Sequence, residues 1–405
     1  MRIKLAVIRA VYASSIVFAI FLMGDNAYAK PILRPDPREG VLDASLVVIG
    51  RQVARGTFSV EEVFLGEAQA GDSISLTDFK LITEREYKSE IIDPITPETR
   101  ILLFLKLHDN KWEITQDKHC FFWVQDPDQV DELRVKAQQA VRLRRAWEEA
   151  REIPDEGRRV EMLWPYLWEH GVSFQWHTQA EMQKTGSVAG NYIAERLTSL
   201  NHSKRMTLLP DLGKYGGEEL HTVLRKHLRN QEELYERFTA IHDLKSISIV
   251  KDWNRLPDEV KAIYGELYYG LAGLADFKDQ GDLPFIRVLT EWSIERGFWQ
   301  VCEAALKAFR YRPERENLPI ISSIWKRFGT QPPDGNGISA FDITRTLRLH
   351  SYPETVLLLS SFLGDENAGS ETRAFLEEIV GKDLGPNAKA WVDWYTQRKD
   401  QEDNK

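Results

Sequence analysis

The stretch Leu283–Arg310 reads LPFIRVLTEWSIERGFWQVCEAALKAFR and holds the clearest unit of a repeated pattern. Pro284 stands where a helical pattern begins, a position that suits proline because the first helical N–H has no partner within the helix. An apolar residue, Leu289, follows five positions later, and Leu306 lies twenty-two positions after the proline, inside a second helical segment. The stretch therefore predicts a helical hairpin.

The same pattern recurs along the last third of the chain. The prolines that begin it are Pro284, Pro319, Pro353 and Pro386. The apolar residues five positions after them are Leu289, Ile324, Leu358 and Trp391, and the second helices contain Leu306, Phe341 and Phe375. A period of about 34 residues with two helices is typical of stacked hairpin repeats, because one hairpin cannot bury its apolar face alone.

We therefore predict stacked helical-hairpin repeats over residues 256–397, degenerate helical repeats over 126–255, and a polar tail over 398–405. Upstream of the repeats, Val130–Glu152 has apolar residues at i, i+3 and i+4 spacing, which predicts an amphipathic helix. Pro257 begins a further predicted helix, Asp258–Ala275. Cys302 lies in an apolar stretch and is expected in the core.

Residues 42–125 have the alternation and composition of short β-strands. The predicted strands are Ser45–Gly50, Thr57–Phe64, Ser73–Thr77, Arg100–Lys106, Lys111–Ile114 and Phe121–Val124. Ile74 and Leu76 should share the inward face, and Asp109-Asn110 favours a hairpin turn. The polar segment 78–99 is predicted to be a surface loop. Five or six short strands in about 80 residues fit a small barrel better than a broad sheet.

The predicted fold class is thus α+β and multidomain. A small N-terminal antiparallel β-barrel is followed by an all-α solenoid of helical-hairpin repeats. Residues 30–41 contain three prolines and are predicted to be an extended lead-in to the barrel.

The first 29 residues have the layout of a cleaved secretory signal peptide. Arg2, Lys4 and Arg9 precede an apolar stretch from Ala10 to Met23, and Ala27-Tyr28-Ala29 supplies small residues at the cut. The apolar stretch is about 14 residues long, whereas a membrane span needs about 20. We therefore expect a signal peptide over 1–29, no transmembrane segment after its removal, and a protein that is exported to a periplasm or to the extracellular medium.

The net charge and the cysteines disfavour two classes of protein for this sequence, nucleic-acid-binding proteins and disulfide scaffolds. The formal net charge of −9 disfavours a nucleic-acid partner, because phosphate backbones select clustered Lys and Arg. The two cysteines, Cys120 and Cys302, lie far apart in sequence and in different predicted domains, so the chain is not expected to be a disulfide scaffold.

Two segments resemble known families. The segment Gly381–Tyr395, GKDLGPNAKAWVDWY, resembles the closing segment of exported bacterial HEAT-type repeat proteins. Together with the repeat, this resemblance implies HEAT-like helical repeats over residues 256–397 and, more weakly, over 156–255. The irregular link 329–338 departs from regular stacking. The runs LVVIG (46–50), FSVEEVFLG (58–66), Gly71-Asp72 and LLFLK (102–106) resemble bacterial netrin-like modules. Those modules have OB-type barrels and are similar to the N-domains of tissue inhibitors of metalloproteinases.

The netrin-like resemblance implies a fold and an extracellular role only. Inhibitors of that family chelate the target metal through an N-terminal cysteine. The mature start of this chain has no cysteine nearby, so protease inhibition is not carried over by the resemblance.

No constellation of residues in the sequence predicts a site. The densest set of potential metal ligands is His108, Glu113, His119 and Cys120. Zinc needs three or four converging groups, and the adjacent His119 and Cys120 would point to opposite faces of a strand. The chain contains no His-Glu-x-x-His, nucleophile-elbow or Walker-type motif. We therefore assign no catalytic, cofactor-binding or metal-ligating residue.

Two further sets of residues contain side chains that could bind a ligand. His221 and His227 are six positions apart and should not share a helix face. The aromatic residues Trp164, Tyr166, Trp168, Phe174 and Trp176 could form a platform for carbohydrate. The i, i+4 spacing of Trp164 and Trp168 favours a stripe of core residues on one helix instead.

These observations favour a non-catalytic protein-binding or scaffold protein, which would bind through the concave face of the solenoid and the barrel loops. The protein partner is not identified by the sequence, and no cofactor is expected. The alternative is an exported cell-envelope hydrolase with an acid/base site that the sequence does not reveal. A third reading is inhibition of an exported protease by the loops of the barrel.

Overall fold

The structure is a computed structural model that describes residues 37–54, 56–76, 100–109, 111–115, 121–124, 130–242, 256–329, 337–366 and 368–403. The predicted signal peptide, the predicted loop 78–99, His119, Cys120 and most of the link 329–338 lie outside these residues. The chain divides into two compact units, Met1–Glu181 and Met182–Lys405.

The N-terminal unit contains an antiparallel β-sheet. Its strands are β1 (Leu46–Ala54), β2 (Thr57–Leu65), β3 (Ser73–Ser75), β4 (Arg100–His108), β5 (Lys111–Ile114) and β6 (Phe121–Val124). The strand order is β3-β2-β1-β4-β5, and β6 pairs with β4 on the edge that β5 also uses. An isolated bridge joins Leu76, just after β3, to Trp112 in β5, so the two ends of the sheet meet there. The predicted strands are confirmed.

Alternation along the strands places one set of apolar side chains in a common core. These residues are Leu46, Val48, Phe58, Val60, Ile74, Leu76, Ile101, Leu103 and Leu105. Ile74 and Leu76 share this face as predicted. The hairpin at Asp109 is also confirmed, since His108 pairs with Lys111 and two residues connect β4 to β5. Asp109 adopts a φ of 50°, a left-handed conformation that Asp tolerates better than most residues.

Helices complete the N-terminal unit. They are α1 (Pro37–Gly40), α2 (Val130–Arg151), α3 (Glu156–Leu163) and α4 (Val172–Lys184), whose last residues cross into the second unit. The helix α2 packs against β1, β2 and β4, and Arg144 of α2 donates hydrogen bonds to the carbonyl oxygens of Val41 and Ala44. The helices α2 and α3 therefore belong to the same compact unit as the sheet, and the predicted domain boundaries stay a prediction.

One local expectation needs correction. The predicted extended lead-in, 30–41, contains the helical turn α1, which begins at Pro37 and contacts α2. Proline fits this position because its fixed φ suits the first turn of a helix. The residues 398–403 of the polar tail belong to a helix that begins at Ala388, and the prediction made no statement on their secondary structure. These polar residues continue the last helix because nothing in that stretch is a proline or glycine.

The C-terminal unit is helical. Its first helices are α5 (Ser187–Ala194), α6 (His202–Leu208), α7 (Leu212–Tyr215), α8 (Glu218–His242) and α9 (Asp258–Phe277). The remaining helices are α10 (Leu283–Arg296), α11 (Trp299–Tyr311), α12 (Asn317–Phe328), α13 (Ala340–Arg348), α14 (Pro353–Ser360), α15 (Gly369–Val380) and α16 (Ala388–Asp403). The predicted arrangement of a β-sheet followed by helices, an α+β fold, is confirmed.

The repeated prolines mark the starts of alternate helices. Pro284 and Pro353 lie in the first two positions of α10 and α14, Pro319 is the third residue of α12, and Pro386 lies two residues before α16. The apolar residues predicted five positions later are buried in α10, α12 and α16. The sequence pattern therefore located the helix starts to within two residues.

These helices pack in two rows. One row is formed by the contacts of α10 with α12, α12 with α14, and α14 with α16. The other is formed by the contacts of α9 with α11 and of α11 with α13. The rows are joined because α11 contacts both α10 and α12, and α13 contacts both α12 and α14. The thiol of Cys302 lies fully buried in α11, as expected, and is free.

Close backbone contact constrains how α9 packs on the 3₁₀ turn Leu209–Asp211, which follows α6. A Cβ placed at Gly273 in α9 would lie 2.0 Å from the carbonyl oxygen of Leu209. Real Cβ atoms do not approach an oxygen so closely, so a side chain here would push the two segments apart. No helix in the described part of the chain is both long and apolar enough to span a membrane.

We predict that Gly273→Ala destabilises the protein by about 1–3 kcal/mol, because the overpacking cost outweighs the better helix propensity of alanine. Urea unfolding of the full chain measures this change. Gly364→Ala is the matched control, since a Cβ there meets nothing within 4 Å. Equal stability of the two variants would show that the contact at Gly273 does not constrain the fold.

Candidate functional site

A buried carboxylate, Glu266 of α9, joins three helices. Its Oε1 lies 2.7 Å from Nδ1 of His202 and accepts hydrogen bonds from Arg205 Nε and Nη2 at 3.0 and 2.8 Å. Its Oε2 lies 2.8 Å from Nε2 of His227. His202 and Arg205 belong to α6, and His227 belongs to α8, so one side chain connects α6, α8 and α9.

The surroundings of Glu266 keep it ionised. Burial alone would raise the pKa of this carboxyl, but the contacts with His202, His227 and Arg205 outweigh burial and hold the pKa well below its usual range. A carboxylate engaged in this way does not exchange protons near neutral pH. Glu266 therefore serves to join helices and is not a candidate acid or base.

A second buried cluster surrounds Asp282, at the turn before α10. Its two carboxylate oxygens lie 2.7 and 2.8 Å from Nε2 of His221 in α8. Together with Asp279, these residues form a group whose ligand atoms lie close enough to hold a metal ion. However, Arg225 Nε and Arg312 Nη1 lie 3.6 and 3.7 Å from the Asp282 oxygens. The two guanidinium groups already balance the two carboxylates, so this cluster does not favour an added cation.

Arg312 extends this cluster into a buried polar chain along the ends of the helices. Only 1% of its side chain is exposed, and Nη1 also donates to the carbonyl oxygen of Asp279. The carbonyl oxygen of Arg312 accepts from Asn317 Nδ2 at 2.9 Å, and that nitrogen lies 3.3 Å from Nε2 of His350. The chain therefore connects the turns that precede α10, α12 and α14.

Among the described residues, the structure does not bring together the histidines that the sequence offered as potential metal ligands. His221 and His227 lie in the two different clusters, around Asp282 and Glu266. His108 Nδ1 lies 3.4 Å from Glu113 Oε1 across the β4–β5 hairpin and is largely exposed. The other two members of that set, His119 and Cys120, lie outside the described residues. No motif in the sequence could have indicated Glu266 or Asp282, because convergence on them requires helices that are distant along the chain.

The aromatic residues 164–176 do not form a stripe on one helix. The helix α3 ends at Leu163, and Trp164 begins a short 3₁₀ turn, Trp164–Leu167. The physical reason is Pro165, which lacks the N–H that would continue the α-helical pattern. The rings of Trp164 and Trp168 meet edge to face at 5.2 Å and are half-buried, while Trp176 is exposed.

The helix α11 has a polar stripe that the helix rows leave uncovered. The residues of α11 that are not buried are Trp299, Glu303, Lys307, Arg310 and Tyr311. Their spacing of four, four, three and one places them on one side of the helix. Aromatic residues stand at both ends of this stripe and charged residues lie between them.

The neighbouring helices extend this stripe into a wider surface, which we call the α11 face. It comprises the stripe together with Tyr268, Tyr269 and Asp276 of α9 and Phe341, Asp342 and Arg345 of α13, all partly or fully exposed. Lys307 Nζ lies 2.8 Å from Asp276 Oδ1, and Arg310 Nη2 lies 3.1 Å from Asp342 Oδ1. Ion pairs thus connect α11 to the helix on each side.

Glu303 differs from the other charged residues of the stripe. Among the described residues it has no hydrogen-bond or ion-pair partner, although it is half-buried. Burial is the main cause that raises the pKa of its carboxyl to about 7, and the negative charge of Asp342 adds to it. Glu303 is therefore divided between its neutral and ionised forms near neutral pH.

We predict that Glu266→Gln lowers the free energy of unfolding by roughly 3–5 kcal/mol at pH 7, because it removes the buried negative charge that His202, Arg205 and His227 contact. The pKa of Glu266 is lower in the folded than in the unfolded chain. Its contribution is therefore present above about pH 4.3, the unfolded value, and is lost as the pH falls toward the folded value. Urea unfolding at pH 7 and at lower pH measures both effects.

The matched control for that prediction is Glu233→Gln in α8. Glu233 is exposed and pairs with Arg237 at 3.4 Å on the helix surface, so its loss should cost at most about 0.5 kcal/mol. A Glu266→Gln variant as stable as this control at pH 7 would contradict the proposed role of Glu266.

Comparison of the chain with family models, with curated proteins and with solved structures found no match in any of the three. The functional interpretation therefore depends on the residues and contacts themselves. Among the described surfaces, the α11 face combines exposed aromatic residues, charged residues and a half-buried carboxyl without a partner. We take it as the candidate functional site.

Proposed function

We propose that this protein is an exported, non-catalytic scaffold that binds a protein partner through the α11 face. In this proposal residues 1–29 direct export to a periplasm or to the medium, and the N-terminal unit contains an OB-type, netrin-like barrel. The stacked helices of the C-terminal unit form a HEAT-type solenoid that presents the binding surface. The acidic chain is not expected to bind nucleic acid.

The observation that carries the proposal is the composition of the α11 face. Trp, Tyr and Arg are the residues that contribute most to binding at protein interfaces, and this face displays Trp299, Tyr311, Tyr268, Arg310 and Arg345 across three adjacent helices. The charged residues Glu266, Asp282 and Arg312, by contrast, are buried and form ion pairs with residues of neighbouring helices. Of these polar residues, those of the α11 face are therefore the ones that a partner protein can contact.

Two further observations support the proposed architecture. The bridge between Leu76 and Trp112 brings the two ends of the sheet together, as closure of a small barrel requires. The two rows of helices, with prolines at the starts of alternate helices, agree with stacked hairpins that share a continuous core.

The test is capture of partners on the immobilised full-chain protein from the exported fraction of its native cells. We predict that Tyr311→Ala weakens the retention of specifically bound proteins by about tenfold or more, because a tyrosine that anchors a protein interface contributes at least about 1.4 kcal/mol. Tyr311 is 47% exposed, so its replacement should leave the fold intact.

Trp176→Ala is the matched control, since Trp176 is 44% exposed and belongs to α4 rather than to the α11 face. Proteins retained by the native chain and by this control, but not by the Tyr311 variant, support the proposal. Retention of no specific protein by the native chain would remove the binding function, and equal retention by both variants would remove the α11 face as its site.

The second candidate function is an exported cell-envelope hydrolase, and Glu303 is the observation that favours it. A carboxyl with a pKa of about 7 can act as a general acid or base near neutral pH, and Asp342 lies on the neighbouring helix in an ion pair with Arg310. Turnover in a screen of glycosides, esters and peptides that Glu303→Gln abolishes would support this function. No turnover by the native chain would exclude it for those substrates.

A further inference from the structure

The charged residues of the α11 stripe are balanced within the protein except at one position. Lys307 is engaged by Asp276 of α9. Arg310 is engaged by Asp342 Oδ1 and by Thr346 Oγ1 of α13, the latter at 2.9 Å. Glu303 stands one turn before Lys307 and about two turns before Arg310 on the same side of α11, and neither cation pairs with it.

The groups around Glu303 come from three helices. From α9, Tyr264 and Tyr268 are close enough for the charge of Glu303 to act on them: burial is the main cause that raises the pKa of both phenols, and Glu303 adds to it. From α13, Asp342 opposes ionisation of Glu303, while Arg310 of α11 itself favours it. The position therefore contains a carboxyl, a second carboxylate already in an ion pair, and the half-buried ring of Tyr268, whereas Tyr264 is buried.

This environment is matched to a cation. A half-buried carboxylate is costly without a counter-charge, and an ammonium or guanidinium group would supply one. The tyrosine ring beside it can cover the methylene stem of a lysine or arginine and attract its charge. An anion would be repelled by Glu303 and Asp342. The net charge of −9 favours approach of a basic partner over the whole surface.

We propose that Glu303 is the anchor point for a lysine or arginine side chain of a basic segment in the protein partner, held between the carboxyl and the ring of Tyr268. This inference rests on the proposed binding function and identifies the chemistry of the partner. When the cation is seated, the carboxyl is ionised and paired, so the seated state has no isolated charge at this position.

The probe is the synthetic peptide hexalysine, titrated into the full-chain protein by calorimetry at several pH values from 6 to 8. We predict that affinity rises with pH over this range, because Glu303 loses its proton there. Glu303→Gln should bind hexalysine about tenfold more weakly at pH 8, the loss of one charge-assisted hydrogen bond, and should have a smaller rise with pH.

Glu291→Gln is the matched control for this experiment. Glu291 is an exposed acid of α10, in the other helix row, so its replacement removes the same charge at a different place. Histidines also titrate between pH 6 and 8, and this control keeps their contribution to the rise. Equal losses of affinity in the two variants would show that hexalysine binds through net charge alone, which would overturn the inference.

The remaining outcomes are also decisive. Absence of hexalysine binding to the native chain, while native partners are still captured, overturns the inference and leaves the binding function in place. Loss of both removes the binding function itself. If Glu303→Gln does not fold, as judged by circular dichroism, Glu303→Ser carries the same comparison with a smaller uncharged side chain.

Discussion

A carboxylate stays ionised inside a protein only when donors and positive groups surround it. Glu266 and Asp282 both lie in the interior of the C-terminal unit, and each draws its partners from helices that are distant along the chain. The packing of α6, α8 and α9 and the turn before α10 must satisfy these contacts as well as bury apolar side chains. Apolar contacts allow many arrangements of two helices, whereas a shared carboxylate allows few.

The C-terminal unit therefore has buried charged residues that hold its helices together and a separate set of charged residues on its surface. Inside, the polar chain from Asp282 through Arg312 to Asn317 and His350 fixes successive turns relative to one another. Outside, α11 presents a stripe whose two cations are held by the adjacent helices. Glu303 is left over because the helix pairing that satisfies Lys307 and Arg310 brings no cation to it. Under the proposed binding function, these internal contacts would let the α11 face receive a partner without rearrangement of the buried charges.

Much of the fold could be predicted from local pattern. The alternation of residues in 42–125 located the strands, and the recurring prolines located α10, α12, α14 and α16, since each signal is contained within a few residues. The prediction that Trp164 and Trp168 lie on one helix was wrong, because their i, i+4 spacing takes no account of Pro165, which interrupts the helix. The clusters at Glu266 and Asp282 could not be predicted, because acids are abundant in this chain and only tertiary packing selects two of them. The spacing of the polar residues in α11 predicts that they share one side of the helix. Whether Glu303 has a partner depends on which helices pack beside α11, and the sequence pattern does not show this.

The buried thiol of Cys302 has a consequence for how the protein would respond to oxidising surroundings. Burial raises the pKa of this thiol well above its ordinary value, and the thiolate is the form that attacks disulfides and alkylating reagents. The folded chain therefore protects Cys302 from mixed disulfides, and the thiol becomes reactive only when α11 separates from its neighbours. The side chain is thus a built-in reporter of opening: the rate at which a thiol reagent labels it measures how often the core of the helix rows is breached.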